Sequence, residues 1–310
     1  MQENTKYEGN HGNGNNDIND IPMEKRTGKT LYVSDLDGTL LDNSSRLSPA
    51  TEHMLNELIA GEALFTIATA RTPATAVGLM ENVNTKLPFV VMAGCALWDN
   101  AAKDYLSARI LKPEYVCALL SIFRKHGNSP FVYHRDGNRI MVQHSEVMNN
   151  DEEAFISPRL NTPYKYLRLV DSTTDEISPH NVMLIFGTGR FDRLRAMADD
   201  IDNSGVPCQY NCYHDISSPG AGIIDIYAEN TTKALAIDEV ARMCGAGRVV
   251  TFGDNLNDIP MMETANWSVA VDNAFPEVKL AASETIGANT EDAVAKWIWR
   301  DFFGRQYREV

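Results

Sequence analysis

With 310 residues, 44% of them hydrophobic, the chain can bury a large core, which excludes a single small domain. A formal net charge of -14 argues against nucleic acid or an anionic membrane as partner, because either needs a basic surface to displace counterions. Five cysteines are a low, odd count, and no apolar stretch nears the about 18 residues a membrane span requires, so the expected setting is a reducing cytoplasm.

Residues 1–28 are rich in Asn, Gly and charge, with no apolar run, and read as a disordered tail. Gly28-Lys29-Thr30 has the look of a P-loop end, but Met23 stands where a Gly is required and a strand follows instead of a helix. That strand is Leu31 to Ser34. Ser48-Pro49 supplies an N-cap and a first-turn Pro for a helix carrying Met54, Leu55, Leu58 and Ile59, stopped by Gly61. A second strand is predicted over Ala63 to Ala68, a helix over Pro73 to Val83 and a third strand over Pro88 to Ala93.

Between Gly94 and Lys233 lie far more residues than the roughly dozen a crossover needs. The excess is predicted to be an inserted α+β cap at 97–226, with helices at Pro113 to His126 and Phe191 to Ser204. Its strands are Phe131 to His134, Arg139 to Gln143, Val182 to Phe186, Cys208 to His214 and Ile223 to Tyr227, in an antiparallel sheet. Afterwards a helix at Thr231 to Cys244 precedes a buried strand, Arg248 to Phe252, that runs into Gly253-Asp254. A short strand near Trp267 to Val271, a helix from about Pro276 and a helix opened by Thr290-Glu291-Asp292 complete the chain. The fold class is therefore α/β: a Rossmann-like parallel-sheet core, residues 29–96 and 227–310, with the cap inserted.

In open parallel sheets ligands bind outside the carboxyl ends of the strands, and here those ends carry Asp35, Thr69, the Gly94 region and Asp254. Two carboxylates and a Gly delivered by a buried strand must be paired or bind a cation. Phosphate-ester hydrolysis through a covalent intermediate needs an ionised nucleophile, a hard cation, positive charge and an acid for the leaving alkoxide. Asp35 suits the nucleophile. Asp37 can protonate the leaving oxygen and then activate water, provided crowding among carboxylates keeps its acid form accessible. Gly38 lets the chain turn so that the Asp37 main-chain carbonyl faces a metal. Mg²⁺ matches the oxygen set of Asp35, Asp37 and Asp254. Thr69 offers a hydroxyl to phosphate, Lys233 a point charge, and Asp258 could orient Lys233 or a metal-bound water.

These residues resemble the haloacid dehalogenase-like superfamily. Asp35-Leu36-Asp37-Gly38-Thr39 is similar to its first motif, Thr69 to its second, Lys233 to its third and Gly253-Asp254-Asn255-Leu256-Asn257-Asp258 to its fourth, in the same order. An Asp two residues after the nucleophile resembles the phosphatase branch, and the position of the insertion resembles the Cof-like phosphatases with a C2-type (type IIB) cap. The resemblance implies a Mg²⁺-dependent phosphatase acting on a small phosphorylated metabolite, sugar phosphates above all. It implies Asp35 and Asp37 as catalytic residues, with Thr69, Ala70, Lys233 and Asn255 around the phosphate. Two departures stand out: Thr69-Ala70-Arg71 where many relatives have Thr-Gly-Arg, and Ala93-Gly94-Cys95-Ala96 where they have Asn-Gly-Ala. A phosphomutase or other phosphotransferase, and a non-catalytic phospholigand-binding regulator, are the rival readings. The sequence leaves the oligomeric state open.

Other features read more plainly. Gly187-Thr188-Gly189 is expected to be a strand-to-helix turn, not a dinucleotide loop. Cys208, Tyr210, Cys212 and His214 share one strand face, and with no fourth ligand are expected to pack, not to bind zinc. In the hairpin Tyr133 to Asn138, His134 or Arg135 are candidates for substrate contact, and Arg71 is either a surface partner or a phosphate contact.

Overall fold

The computed structural model describes residues 28–145, 152–153, 156–157, 162–171, 177–215 and 220–307. Apart from Gly28, the expected tail lies outside the described residues.

Strand β1 (Lys29–Ser34) is buried along its last four residues because it lies between parallel neighbours with both faces covered. Helix α1 (Pro49–Ala60) begins where expected: Ser48 Oγ accepts the Thr51 N–H at 2.9 Å, Pro49 occupies the first turn and Gly61 ends it. Met54, Leu55 and Leu58 on its inner face are wholly buried, each worth roughly 1.5–3 kcal/mol. After β2 (Leu64–Ile67) the predicted helix is shorter than its pattern: α2 (Pro73–Ala76) makes one turn and tightens into a 3-10 turn at Val77–Met80. Val77 and Gly78 are poor helix formers, and only Ala76 and Met80 of these eight residues besides Pro73 are buried.

Strand β3 (Phe89–Val91) also ends earlier than predicted, because Met92 and Ala93 adopt left-handed backbone at φ 53° and 55°. They are held there by bonds from Met92 N to Arg71 O and from Ala93 N to Thr69 O. Two strands without a sequence prediction, β4 (Ala96–Asp99) and β5 (Asp104–Ala108), fold back antiparallel on β3.

Helix α3 (Pro113–Lys125) leads into the second sheet through β6 (Phe131–Asp136), β7 (Arg139–Ser145), β8 (Lys165–Val170) and β9 (Val182–Arg190). Then come α4 (Phe191–Ser204), β10 (Cys208–His214) and β11 (Ala221–Ala228). The order is β10-β11-β9-β6-β7-β8, antiparallel except for β8, which runs parallel to β7. That strand went unpredicted because Lys165 and Arg168 break its apolar signal. One face of the sheet, with Val132, Ile185, Ile224 and Ile226, is covered by Leu119, Phe123, Leu194 and Met197 of α3 and α4. The other face, with Phe131, Tyr133, Phe186 and Tyr227, joins the same apolar cluster as Leu36, Met92, Cys95 and Trp98.

Helix α5 (Lys233–Cys244), β12 (Ala246–Gly253), α6 (Ile259–Thr264), β13 (Trp267–Ala270), α7 (Pro276–Ala281), β14 (Glu284–Thr285) and α8 (Ala293–Phe303) return to the first sheet. Its order, β14-β13-β12-β1-β2, is parallel throughout and makes the molecule an α/β protein. A parallel bridge between Ala68 and Val90 extends it to β3.

Gly187 and Gly189 lie within β9, directly before α4. Cys208, Tyr210 and Cys212 pack on the helix-covered cluster, His214 stacks on Phe191 at 3.7 Å, and all five cysteines are free. His134 is buried with Nδ1 at 3.1 Å from His180 O, and Arg135 lies over the Tyr105 ring. No helix among the described residues is long and apolar enough to cross a membrane.

Candidate active site

Parallel register brings three strand ends level. Ser34 pairs with both Phe252 and Ile67, Asp35 N donates to Phe252 O at 2.9 Å, and Ala68 N donates to Ser34 O at 2.9 Å. Asp35, Thr69 and Asp254 therefore emerge on one rim, the carboxyl edge of the sheet.

Lys233, the first residue of α5 and only 4% exposed, arrives beneath them. Its Nζ donates to Asp35 Oδ1 and, at 2.7 Å, to Asp258 Oδ1. The other oxygen of Asp258 accepts the N–H groups of Asp254 and Asn255, each at 3.1 Å, so this fully buried carboxylate is committed on both sides. Asp254 accepts the Thr39 hydroxyl at 2.8 Å through Oδ1. Its Oδ2 lies where a side chain on Gly38 would sit, 2.4 Å from an ideal Cβ, and Gly38 has φ +78°. The turn after Asp37 thus needs glycine both for its backbone and for the space.

Three carboxylates around one ammonium leave a formal excess of negative charge in a site that burial has largely dried. Burial, and then the charges of Asp258 and Asp254, push the Asp35 carboxyl up to about 8 although Lys233 opposes them. Burial likewise pushes Asp254 up to about 6, against the Thr39 hydrogen bond. Lys233 is lowered by burial but raised further by Asp258 and Asp35, so it stays an ammonium. Asp35, Asp254 and Asp258 each offer an oxygen within 4.8 Å of the others. With Asp258 committed, Asp35 and Asp254 are the oxygens free for a cation, and an all-oxygen, electron-rich set of this kind fits a hard divalent ion such as Mg²⁺.

Asp37 stands apart from that cluster. Its side chain is 47% exposed and gripped by the Arg71 fork, Nε to Oδ2 at 2.7 Å and Nη2 to Oδ1. The neighbour expected from sequence was a crowd of carboxylates; the one found is a guanidinium, because the loop after β2 folds over the rim. Thr69, 1% exposed, accepts Arg71 N at 3.1 Å and retains its own hydroxyl proton. Ala70 is exposed at the loop tip. Asn255 uses its oxygen to cap its own turn, accepting Leu256 N at 2.7 Å, which leaves its amide NH₂ as the free polar group.

Two contributors, Thr39 and Asn273, have no role in the sequence reading, and two more, Arg71 and Gly94, are named there without the role found. Thr39 orients Asp254, and a hydroxyl directly after Gly38 was the only signal for it. Arg71, expected as a surface partner or a phosphate contact, is the clamp on Asp37. Asn273, from the loop after β13, donates to Gly38 O at 2.7 Å and accepts Asn289 N at 2.9 Å, with nothing local to announce it. Gly94, at φ +93°, lies so close that an ideal Cβ would be 2.2 Å from Thr232 O, and so lets the turn after β3 press against the start of α5. A cavity of about 590 Å³ at the start of α8, lined by Ile286, Trp297 and Arg300 among others, contains none of these residues.

The sequence model of the haloacid dehalogenase-like hydrolase family matches residues 32–298. The chain is 25% identical over 278 residues to pyridoxal phosphate phosphatase YbhA of Escherichia coli, covering 87% of this chain and 97% of that protein. It is 24% identical over 271 residues to the 5-amino-6-(5-phospho-D-ribitylamino)uracil phosphatase YcsE of Bacillus subtilis, covering 86% and 94%. Among solved structures, a sugar phosphatase of HAD subclass IIB superposes with a TM-score of 0.69 at 22% identity, over 89% of this chain and 99% of that one.

Proposed function

We propose, for a chain that belongs to the haloacid dehalogenase-like hydrolase family and is a phosphatase, the Mg²⁺-dependent hydrolysis of small phosphomonoesters, sugar phosphates foremost. An Asp35 oxygen attacks phosphorus, the bond to the leaving oxygen breaks, and an aspartyl-phosphate forms. Asp37 gives its proton to the leaving alkoxide and then takes one from the water that releases phosphate. The Thr69 hydroxyl, the Ala70 N–H, the Asn255 amide and Lys233 surround the phosphoryl oxygens. Asp35, Asp254 and the main-chain carbonyl of Asp37 would hold Mg²⁺, which when bound supplies charge neutralisation on the phosphoryl oxygens. Asp258 fixes Lys233 and the Asp254–Asn255 turn. In this reading residues 29–96 and 227–310 form the catalytic core, and 97–226 form a cap that excludes bulk water.

The observation that carries the reading is the buried Lys233 shared by Asp35 and Asp258 beside a third carboxylate, Asp254. Folding alone gains little from such a cluster, since apolar side chains of similar volume would be as stable or more so. The test is release of phosphate from p-nitrophenyl phosphate and from a panel of sugar phosphates, with Mg²⁺ and with a chelator. Asp35→Asn is expected to lower kcat by about a thousandfold or more. Turnover by Asp35→Asn at the wild-type rate, or turnover indifferent to the chelator, would overturn the mechanism.

A further inference from the structure

Gly38 permits the turn that follows β1 but does not enforce it. Asp37, at φ -75° and ψ 120°, and Gly38, at φ 78° and ψ -5°, have the dihedrals of a type II turn. The type I alternative differs by a rotation of about 150° or more of the peptide between them, which swings the Asp37 carbonyl to the other side of the turn. Glycine takes positive and negative φ about equally readily, so the choice falls to whatever grips the next peptide.

That grip is Asn273. Its Nδ2 donates to Gly38 O at 2.7 Å and its Oδ1 accepts Asn289 N at 2.9 Å, so both ends of the amide are committed and its orientation is fixed. Asn289, 7% exposed, returns to the same loop and donates through Nδ2 to Leu41 O at 2.8 Å. The two asparagines close a bracket across residues 38–41. Two residues on from Asn273, Phe275 N donates to Asp254 O at 2.9 Å. One short stretch, residues 273–275, therefore holds both the turn that carries the Asp37 carbonyl and the strand end that carries Asp254. Neither bond belongs to a helix or a strand, since β13 has ended at Ala270 and α7 begins at Pro276.

We infer that Asn273 is a positioning residue for the divalent ion: by holding the turn at Asp37 and Gly38 in its type II form, it keeps the Asp37 carbonyl on the side of Asp35 and Asp254. The inference rests on the Mg²⁺ ligands of the proposed function, and it adds a residue that touches neither ion nor substrate. A turn divided between two forms binds a cation more weakly, in proportion to the fraction in the competent one. Asn273 raises that fraction before the ion arrives, which is pre-organisation.

The test measures Mg²⁺ binding to the full-length protein by titration calorimetry, beside the Mg²⁺ dependence of p-nitrophenyl phosphate hydrolysis. Asn273 is exposed, so truncating it opens no cavity. For Asn273→Ala the Kd for Mg²⁺ is expected to rise about fivefold, the size of one lost hydrogen bond. The Mg²⁺ concentration at half-maximal turnover should rise by the same factor, while KM for the ester and kcat at saturating Mg²⁺ stay within about twofold of wild type. A role confined to stability would lower the metal-free Tm and leave the Kd where it was. Asn273→Asp is the second variant and carries the test if the alanine variant does not fold: it keeps an acceptor for Asn289 N and loses the donor to Gly38 O. Its added charge alone would tighten cation binding, so binding about threefold weaker in about 0.5 M KCl, where surface charge is screened, isolates the lost donor. An unchanged Kd for Asn273→Ala, a lower kcat at saturating Mg²⁺ with unchanged Kd, or unchanged or tighter binding by Asn273→Asp would overturn the inference. A wild type that neither binds Mg²⁺ nor hydrolyses the ester strikes the phosphatase reading itself; an active, Mg²⁺-binding wild type matched in Kd by Asn273→Ala strikes this inference alone.

Discussion

Arg71 shows how much one residue's role depends on where a loop lands. In sequence it is a cation two residues after a strand-end threonine; in the structure its fork fixes both oxygens of Asp37. Such a pair contributes little to stability when half in water, about 1 kcal/mol or less. Its value lies in holding the proposed acid in one rotamer. Arg71→Ala should therefore leave urea unfolding within about 1 kcal/mol of wild type. It should lower kcat about tenfold for an alkyl phosphate, whose alkoxide must be protonated, and lower it less for p-nitrophenyl phosphate, whose phenolate leaves without a proton. Equal losses on the two esters would assign Arg71 to phosphate binding instead. Asp35, Asp37, Lys233 and Asp254 could be picked out in the sequence because their chemistry is written in their residue types and order. Thr39 and Asn273 could not, since a threonine and an asparagine become site residues only through partners 215 and 235 positions away.

The elements that were easy to read are those whose signals are local. Helix α1 carries its cap, its first-turn proline and its stop within fourteen residues, and α4 and β10 begin and end where their patterns do. The short or polar elements β4, β5, β8 and β14 were missed because pairing, not pattern, makes them strands. The turn after β3 is the clearest case of tertiary override: two non-glycine residues in left-handed backbone, each costing of order 1–3 kcal/mol, persist because the Thr69–Arg71 loop binds them. Gly94 completes that turn, and any side chain there meets Thr232 O. Gly94→Ala is expected to destabilise the protein by more than about 2 kcal/mol and to reduce kcat by displacing Lys233. Thermal melting and steady-state kinetics on the same preparation check both, and a variant that keeps wild-type Tm and kcat refutes the packing argument.

For the molecule as a whole, the concentration of carboxylates at one sheet edge ties stability to pH and, in the proposed function, to metal. Folded Asp35 and Asp254, at about 8 and about 6, hold protons that the unfolded chain, near 3.8, has already lost. A raised carboxyl makes the folded state bind more protons than the unfolded, so the metal-free protein loses stability as pH rises from about 4 toward 8. In the proposed function Mg²⁺ binds the ionised oxygens of Asp35 and Asp254 and so offsets that loss, and the rise in Tm on adding Mg²⁺ should then widen between pH 5.5 and 8. A Mg²⁺ effect that is constant across this range would remove Asp35 and Asp254 from the ion's ligands. The α/β class, a parallel core interrupted by a large α+β segment, and the four stretches bearing the chemistry were determined by the sequence itself, because hydrophobic period, caps and residue type act over a few neighbours. Which carboxylate is saturated and which is free, that Arg71 clamps Asp37, and that Asn273 grips the Gly38 turn were decided only by the tertiary structure. Those facts depend on contacts between strands and loops far apart in the chain, and no local pattern encodes the dielectric or the partner that a side chain meets once the sheet has closed around it.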